Sequence, residues 1–223
     1  MLQYFMKCVY CKSKKLYYFK SGQLKCSSCR KKFSPKKIQR NCDVIKLFCS
    51  NFTVNQASKQ LKLHYTTVKV RYELIRKSIS IYQEQQYQQK NVKQYDEYIY
   101  LAKSKNKVKQ NIFDAQNFIT FNYENKVYNL IMPNLSKYKE KFIVDGANEA
   151  YFKEFSKFMM LNKISKVQKS ENIIQRFWNF FEESILRYKG INERNFFYYL
   201  KECEFKFNYT KIQQEKILLQ IVH

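Results

Sequence analysis

Residues 8–29 read CVYCKSKKLYYFKSGQLKCSSC, and this stretch decides the fold of the N-terminal part of the chain. Its two ends are C-x-x-C pairs, Cys8 with Cys11 and Cys26 with Cys29, and fourteen residues separate the pairs. A tetrahedral zinc ion takes four soft ligands, and each pair supplies two thiolates. Only short β-like stretches such as LYYFK lie between the pairs. The spacing therefore predicts a zinc ribbon that holds one structural Zn²⁺.

We favour zinc over the alternative, a pair of disulfides. No apolar signal segment is evident in the sequence, and disulfides are rare in reducing compartments. Three further cysteines remain: Cys42 and Cys49 lie seven residues apart in a helical pattern, and Cys203 is isolated. We expect these three to be small core residues, and we place the ribbon at residues 1–36.

The distribution of charge indicates what the ribbon is for. The chain of 223 residues carries a formal net charge of +24. Residues 1–80 hold 19 Lys or Arg and 2 acids, whereas residues 81–223 hold 23 Lys or Arg and 16 acids. No acid precedes Asp43. A concentrated basic excess is typical of nucleic-acid binding, because each phosphate contact releases counterions. The alternatives are a solubilising surface, which would mix both signs, and a membrane surface, for which no long basic amphipathic helix is visible.

Residues 41–82 have the pattern of a helix-turn-helix. Three short helices would each bury an apolar face, formed by Val44, Ile45, Phe48 and Cys49, by Val54, Ala57 and Leu61, and by Val68, Tyr72 and Ile75. Thr53 begins a capping-box pattern that ends at Gln56, and His64 fits a turn or a cap. The start of the third helix would expose side chains that suit a DNA major groove: Tyr65, Thr66, Thr67, Lys69 and Arg71. An ordinary three-helix bundle is the alternative.

Residues 91–210 mix strands and helices, and residues 211–223 form a C-terminal tail. Strand patterns occur at 95–101, 112–123, 126–132 and 141–144, with a hairpin turn at Glu124-Asn125, and helical patterns occur at 150–160, 171–188 and 192–207. Strands followed by helices predict an α/β layer domain, so we expect a multi-domain α+β chain. The Gln-rich stretch Gln83–Gln94 would join the domains as a helix tail or a polar linker.

Two acids of this block have suggestive positions. Asp96 lies in a strand, and Asp145 ends another in FIVDG. Carboxylates on neighbouring strands repel each other unless a cation neutralises them, and such a pair with a third ligand can hold Mg²⁺ for phosphoryl transfer. The alternative is that they are turn formers, as Asp-Gly often is.

Three stretches resemble the DDE-type transposases of small insertion sequences, the ISXO-like/Merlin superfamily. They are YDEYIY at residues 95–100, IVDGANEAY at residues 143–151, and ENIIQRFWNFFEESILRYKGINERNFFYYLKECEFKFNY at residues 171–209. A zinc ribbon and a helix-turn-helix precede the catalytic domain in that family too. The resemblance implies a ribonuclease H-like domain at residues 91–210, shortened between Asp96 and Asp145, with Mg²⁺-dependent strand cleavage and transfer.

The resemblance also assigns site residues. Asp96 and Asp145 match the first two catalytic carboxylates, which would hold Mg²⁺, and Asn172 matches the motif asparagine. The third carboxylate falls at Gln175, whose amide oxygen can coordinate a metal but brings no charge. Magnesium binding should therefore be weakened or lost.

Two nearby acids are candidates for the lost carboxylate. Glu171 lies one helical turn before Gln175, and Glu182 lies two turns after it, in place of the lysine that the family pattern carries. Either would place a carboxylate on the same helical face as Gln175.

The sequence thus predicts the DNA transposase of a small insertion sequence, in a copy that is decayed or inactive. Its partner would be double-stranded DNA, the terminal inverted repeats of the element, bound as a homo-oligomer. No apolar run approaches the length of a membrane span, so we expect no membrane partner and place the protein in a bacterial cytoplasm, or in the nucleus of a eukaryote. The alternative is a non-catalytic zinc-ribbon and helix-turn-helix DNA-binding protein or transcription regulator.

Overall fold

The structure is a computed structural model that describes residues 7–87, 94–100, 115–132, 172–188, 191 and 193–222. These residues form a mixed α+β protein with six helices and two antiparallel sheets of three strands each. The predicted strand at 141–144 and the predicted helix at 150–160 lie outside them. The chain divides into two compact units. The first unit is residues 1–75 with residues 215–223, and the second unit is residues 76–214.

The ribbon sheet consists of β1 (Leu16–Tyr18), β2 (Leu24–Cys26) and β3 (Lys32–Phe33). Its strands follow in sequence order, and Leu16 pairs with Cys26 while Leu24 pairs with Phe33. One face of this sheet buries a small core made by Cys8, Leu24, Cys26 and Phe33. A core of that size stabilises little by itself, because so few apolar side chains leave water. The ribbon therefore depends on the chemistry of its cysteines.

Three helices follow: α1 (Pro35–Cys49), α2 (Val54–Leu61) and α3 (Tyr65–Tyr87). Helix α1 begins where the Ser34 hydroxyl accepts a hydrogen bond from the Lys37 amide, and Pro35 fits the first turn because it needs no amide donor there. At α2 the predicted capping box is present, since Thr53 and Gln56 bond reciprocally. The Gln-rich stretch continues α3 as a helix tail as far as Tyr87.

The predicted apolar faces of this block are largely confirmed. The buried residues of α1 are Val44, Ile45, Phe48 and Cys49, and Val68, Tyr72 and Ile75 of α3 are buried as well. Phe48 and Tyr72 pack edge to face with ring centroids 5.0 Å apart, and the Tyr72 hydroxyl donates to the Phe52 carbonyl over 3.1 Å. In α2 only Ala57 of the three predicted residues is fully buried, because this helix of eight residues lies at the edge of the core.

The second sheet is a meander of β4 (Gln94–Tyr100), β5 (Gln116–Tyr123) and β6 (Lys126–Ile131). The hairpin turns at Glu124 and Asn125 as predicted, with φ values of 45° and 61°. Both central residues of a type I′ turn need positive φ, and this turn matches the right-handed twist of the strands it joins.

Helices α4 (Ile173–Ile185), α5 (Glu193–Asn208) and α6 (Lys211–Ile221) complete the described chain. Helices α4 and α5 pack with the second sheet around an aromatic core that includes Phe118, Phe177, Trp178, Phe181 and Phe196. Each fully buried side chain of this size stabilises the fold by about 1.5–3 kcal/mol. None of the described helices combines the length and the apolar character that crossing a bilayer requires.

The core of the second unit also contains a connected set of polar groups. The Trp178 indole donates to the Thr120 hydroxyl over 2.9 Å, and that hydroxyl donates to the Asn129 amide oxygen over 2.7 Å. Asn129 donates in turn to the buried carboxylate of Glu204, which pairs with the buried Lys201 ammonium at 3.1 Å. Because buried polar groups are costly unless they are bonded, this network fixes the register of α5 against β6.

A second buried carboxylate, that of Glu202, joins helices far apart in the sequence. It pairs with Arg76 of α3 at 2.6 Å and with Lys206 at 2.5 Å, and it accepts a hydrogen bond from the Tyr188 hydroxyl over 2.5 Å. Burial alone would raise the pKa of Glu202, but the two cations outweigh burial and hold that pKa at about 2. The carboxylate is therefore ionised in the core at neutral pH.

Candidate metal centre and nucleic-acid interface

The four predicted ligands, Cys8, Cys11, Cys26 and Cys29, lie together in the ribbon. Their sulfur atoms are all within 4.8 Å of one another. Cys8 Sγ is 3.6 Å from Cys29 Sγ, and Cys11 Sγ is 3.4 Å from Cys26 Sγ. A disulfide bond measures about 2.05 Å, so the four are free thiols. Zinc–sulfur bonds of about 2.3 Å in a tetrahedron place sulfur atoms about 3.8 Å apart. The cluster therefore fits a structural metal such as zinc.

The two cysteine pairs have the same backbone conformation. The Cys8 amide donates to the Ser13 carbonyl over 2.7 Å, and the Cys26 amide donates to the Lys31 carbonyl over 3.0 Å. In both pairs the acceptor lies five residues after the donor. The residue after each pair, Lys12 or Arg30, has a left-handed φ of 60° or 58°. This repeat brings two thiols of each pair toward one point. This turn was not predictable from local sequence, because neither position is the glycine that favours such a φ.

Hydrogen bonding also prepares one of these thiols for a metal. The backbone amide of Cys29 donates to the Cys26 sulfur and, with the other hydrogen bonds there, lowers the pKa of the Cys26 thiol to about 6. A backbone hydrogen bond from Lys31 would lower the pKa of Cys29, but burial and the neighbouring thiols raise that pKa to about 11. Metals bind the thiolate form, so Cys26 is the thiol of the cluster that ionises most readily for a metal.

The five predicted DNA-contacting residues occupy the first two turns of α3. Tyr65, Thr66, Thr67 and Lys69 are exposed there, and Arg71 is partly exposed. His64 precedes them as the predicted cap: its Nδ1 lies 2.7 Å from the Thr66 hydroxyl and accepts from the Thr66 amide. The start of α3 therefore presents polar side chains to solvent, while Val68 and Tyr72 anchor the other side of the helix.

A basic neighbour of this surface was missed by reasoning from the sequence. Burial lowers the pKa of Arg71, and the positive charge of Arg40 on α1 lowers it further. Two guanidinium groups that repel each other favour an anion between or beside them. Arg40 lies 31 positions before Arg71, so no local pattern connects them. Lys69 Nζ also lies 3.9 Å from the Glu73 carboxylate, one turn further along α3.

Asp96 lies within β4, on the face of the sheet that α4 covers. Its partner across the strands is Thr120, which receives the Trp178 indole hydrogen bond. Two residues after Asp96, on the same face, the Tyr98 hydroxyl donates to the Glu182 carboxylate of α4. Burial and the Glu182 carboxylate raise the pKa of Tyr98 well above its ordinary value, which keeps the phenol protonated. This pairing holds Glu182 toward β4.

Asn172 and Gln175 lie at the start of the same helix. The Asn172 side-chain oxygen accepts from the Gln175 amide over 2.9 Å, so Asn172 is the N-cap of α4. That role is structural and explains an asparagine here without catalysis. Gln175 is partly buried one turn before Trp178. Asp145 and Glu171 lie outside the described residues, so the catalytic roles assigned to all these residues stay predictions.

Comparison with known proteins connects the chain to transposase-like proteins. It is 36% identical over 73 residues to an uncharacterized transposase-like protein of Haemophilus influenzae. The similar part covers 31% of this chain and 58% of that relative, so the chain spans less than two thirds of the relative's length. No family model matches the sequence, and no solved structure matches it.

Proposed function

We propose that this chain is a transposase-related DNA-binding protein that recognises the ends of a mobile element as duplex DNA. The observation that carries the proposal is the start of α3, where exposed Tyr65, Thr66, Thr67 and Lys69 stand on a helix anchored by buried neighbours. A helix of this kind enters a major groove with its N-terminal residues against the base edges. Arg40 and Arg71 supply phosphate contacts beside it.

The basic surroundings support the same proposal. Residues 1–42 contain no acid, so the ribbon and α1 add positive potential around the recognition helix. A structural zinc in the ribbon would fix the positions of these basic side chains, because a segment with so small a core folds only when metal is bound. Similarity to a transposase-like protein supports the ends of a mobile element as the DNA that is recognised.

For the second unit we propose a ribonuclease H-like fold of the DDE type with weakened metal binding. The antiparallel meander that carries Asp96 and the helix that covers its face support this proposal. Gln175 stands where the third carboxylate is expected, and the neutral amide leaves one negative charge fewer for Mg²⁺. Glu182, held toward β4 by Tyr98, is the described carboxylate best placed to substitute.

A second function, that of a non-catalytic DNA-binding protein or transcription regulator, is favoured by one observation. Gln175 removes a charge that divalent metal catalysis requires. Such a protein would bind DNA in the same way and would not nick it with any metal.

Duplex binding by the full chain tests the proposal. Lys69→Ala with Arg71→Ala should weaken binding to a duplex that carries the element's ends, since both side chains lie at the proposed interface. The matched control is Lys211→Ala with Arg187→Ala, which removes the same charges at exposed positions of the second unit. Equal affinities of the two double variants would contradict the proposed interface.

A further inference from the structure

The ribbon sheet has a solvent-exposed face whose residues lie outside α3. We define this outer face by Tyr17, Phe19, Lys25 and Lys32. Tyr17 pairs with Lys25 and Lys25 pairs with Lys32, so the three side chains form a row across all three strands. They lie opposite the side chains of Leu16, Leu24, Cys26 and Phe33, which pack in the ribbon core.

The outer face combines exposed aromatic rings with ammonium groups. Tyr17 is 63% exposed and Phe19 is 42% exposed. The Phe19 amide donates to the Gln23 carbonyl over 2.9 Å, which extends the hairpin by one residue and keeps Phe19 on the same face as Tyr17. Lys32 Nζ lies 5.3 Å from the centre of the Phe19 ring. Two exposed rings on one face of a sheet with ammonium groups beside them form a contiguous patch, and patches of this kind mark interaction sites more often than single exposed rings do.

We propose that the outer face of the ribbon binds single-stranded DNA. Tyr17 and Phe19 would stack on unpaired bases, while Lys25 and Lys32 would contact the phosphates. A single strand is favoured over a duplex because base faces are hidden in a duplex and available in a single strand. It is favoured over an acidic protein because flat rings beside lysines match both parts of a nucleotide, the base and the phosphate.

This inference is independent of duplex recognition by α3. The chain would hold the duplex at one surface and an unpaired strand at another, as a protein that opens or grips a DNA end requires. The two surfaces can be tested separately, because Lys69 and Arg71 belong to α3 and the outer face belongs to the ribbon.

The test measures the affinity of the full chain for oligo(dT) of about 16 nucleotides, the upper end of the site sizes for one small single-strand-binding module. Tyr17→Ala and Phe19→Ala should each weaken binding at least about fivefold, the equivalent of stacking one base. Tyr17→Phe should bind like the wild type, since stacking needs the ring and not the hydroxyl. Lys25→Gln with Lys32→Gln should reduce the salt dependence of binding.

The matched control is Tyr18→Ala, because Tyr18 is the same residue type, is 75% exposed and pairs with the buried Leu24 on the other face. It should bind oligo(dT) like the wild type. Zinc content is measured for every variant, so that an unfolded ribbon is recognised. If an aromatic variant does not fold, the salt dependence of the Lys25→Gln with Lys32→Gln variant tests the same face. Equal losses for Tyr17→Ala and Tyr18→Ala would overturn the proposal. So would equal losses for oligo(dT) and duplex, which would make the outer face a general phosphate surface.

Discussion

At the scale of the residue, the four thiols of the ribbon are the best-supported site. Spacing alone predicted them, because two C-x-x-C pairs on a hairpin can meet only at one point. The backbone that brings them together was not predictable, since Lys12 and Arg30 adopt a left-handed φ without a glycine to announce it.

The first prediction concerns metal content. Reduced wild-type protein should contain about one equivalent of zinc. The Cys26→Ser variant should lose the zinc, and its ribbon should unfold, because three thiolates leave a four-coordinate structural site one ligand short. Elemental analysis of purified protein measures this. Cys42→Ser is the control, since Cys42 lies outside the cluster and is only partly buried. Less than half an equivalent in the wild type, or equal zinc in the two variants, would show that the cluster is not a zinc site.

The second prediction concerns the buried Glu202 carboxylate. Its pKa is about 2 in the folded chain against an ordinary 4.5. A lowered pKa stabilises the fold above pH 4.5, and this contribution, on the order of 3 kcal/mol, is lost as the pH falls from 4.5 to 2. Glu202→Gln should destabilise the second unit by about 3–5 kcal/mol at neutral pH, because Arg76 and Lys206 lose their counter-charge.

Urea unfolding of both proteins between pH 2 and pH 7 provides the measurement. The difference in unfolding free energy between wild type and Glu202→Gln should shrink as the pH falls from 4.5 toward 2. A constant difference across that range would mean that the carboxylate does not titrate as described.

At the scale of the element, local signals predicted most of the fold. The capping box at Thr53, the hairpin turn at Glu124-Asn125 and the apolar face of α4 are all visible in short stretches of sequence, and all are present. The burial of Glu202 and Glu204 was not visible. In the stretch KECEFKF they look like a solvated helix face, and their partners Arg76 and Asn129 lie 126 and 75 residues away.

The third prediction concerns the cap of α2. Thr53→Ala should destabilise the first unit by about 1 kcal/mol, because the Gln56 amide loses its acceptor at the helix start. Thermal or chemical unfolding reports the change. The control is Thr67→Ala at an exposed position in the first turn of α3, which should change stability by less than about 0.5 kcal/mol. Similar losses for both variants would remove the capping box as an explanation of where α2 begins.

At the scale of the whole molecule, two compact units combine a metal-fitted ribbon and three helices with a meander covered by helices. The order of these parts follows from the sequence pattern, because each has its own periodicity and spacing. The packing of α4 on the sheet face that carries Asp96 has no local sign in the sequence, since no local pattern links residues about 80 positions apart.

The fourth prediction separates an active transposase from an inactive one. With Mg²⁺ or Mn²⁺ the wild type should nick its element's ends poorly, and Gln175→Glu should increase nicking, because it restores a third carboxylate on the helix that faces Asp96. Arg176→Gln makes the same change in net charge at an exposed position on a different side of α4 and is the control. Efficient nicking by the wild type would refute the loss of activity, and Glu182→Ala would then test Glu182 as the substitute ligand. Binding without nicking by every variant would favour the regulator.

The central claim is that the first unit holds duplex DNA through its basic surface, and the salt dependence of binding tests it most directly. The affinity of the full chain for a duplex of the element's ends is measured from low to physiological salt. Six or more phosphate contacts predict a slope of about −5 in the logarithmic plot. Lys69→Ala with Arg71→Ala should make the slope shallower by about 2, while Lys211→Ala with Arg187→Ala should leave it unchanged. A slope near zero, or the same change in both double variants, would contradict the account.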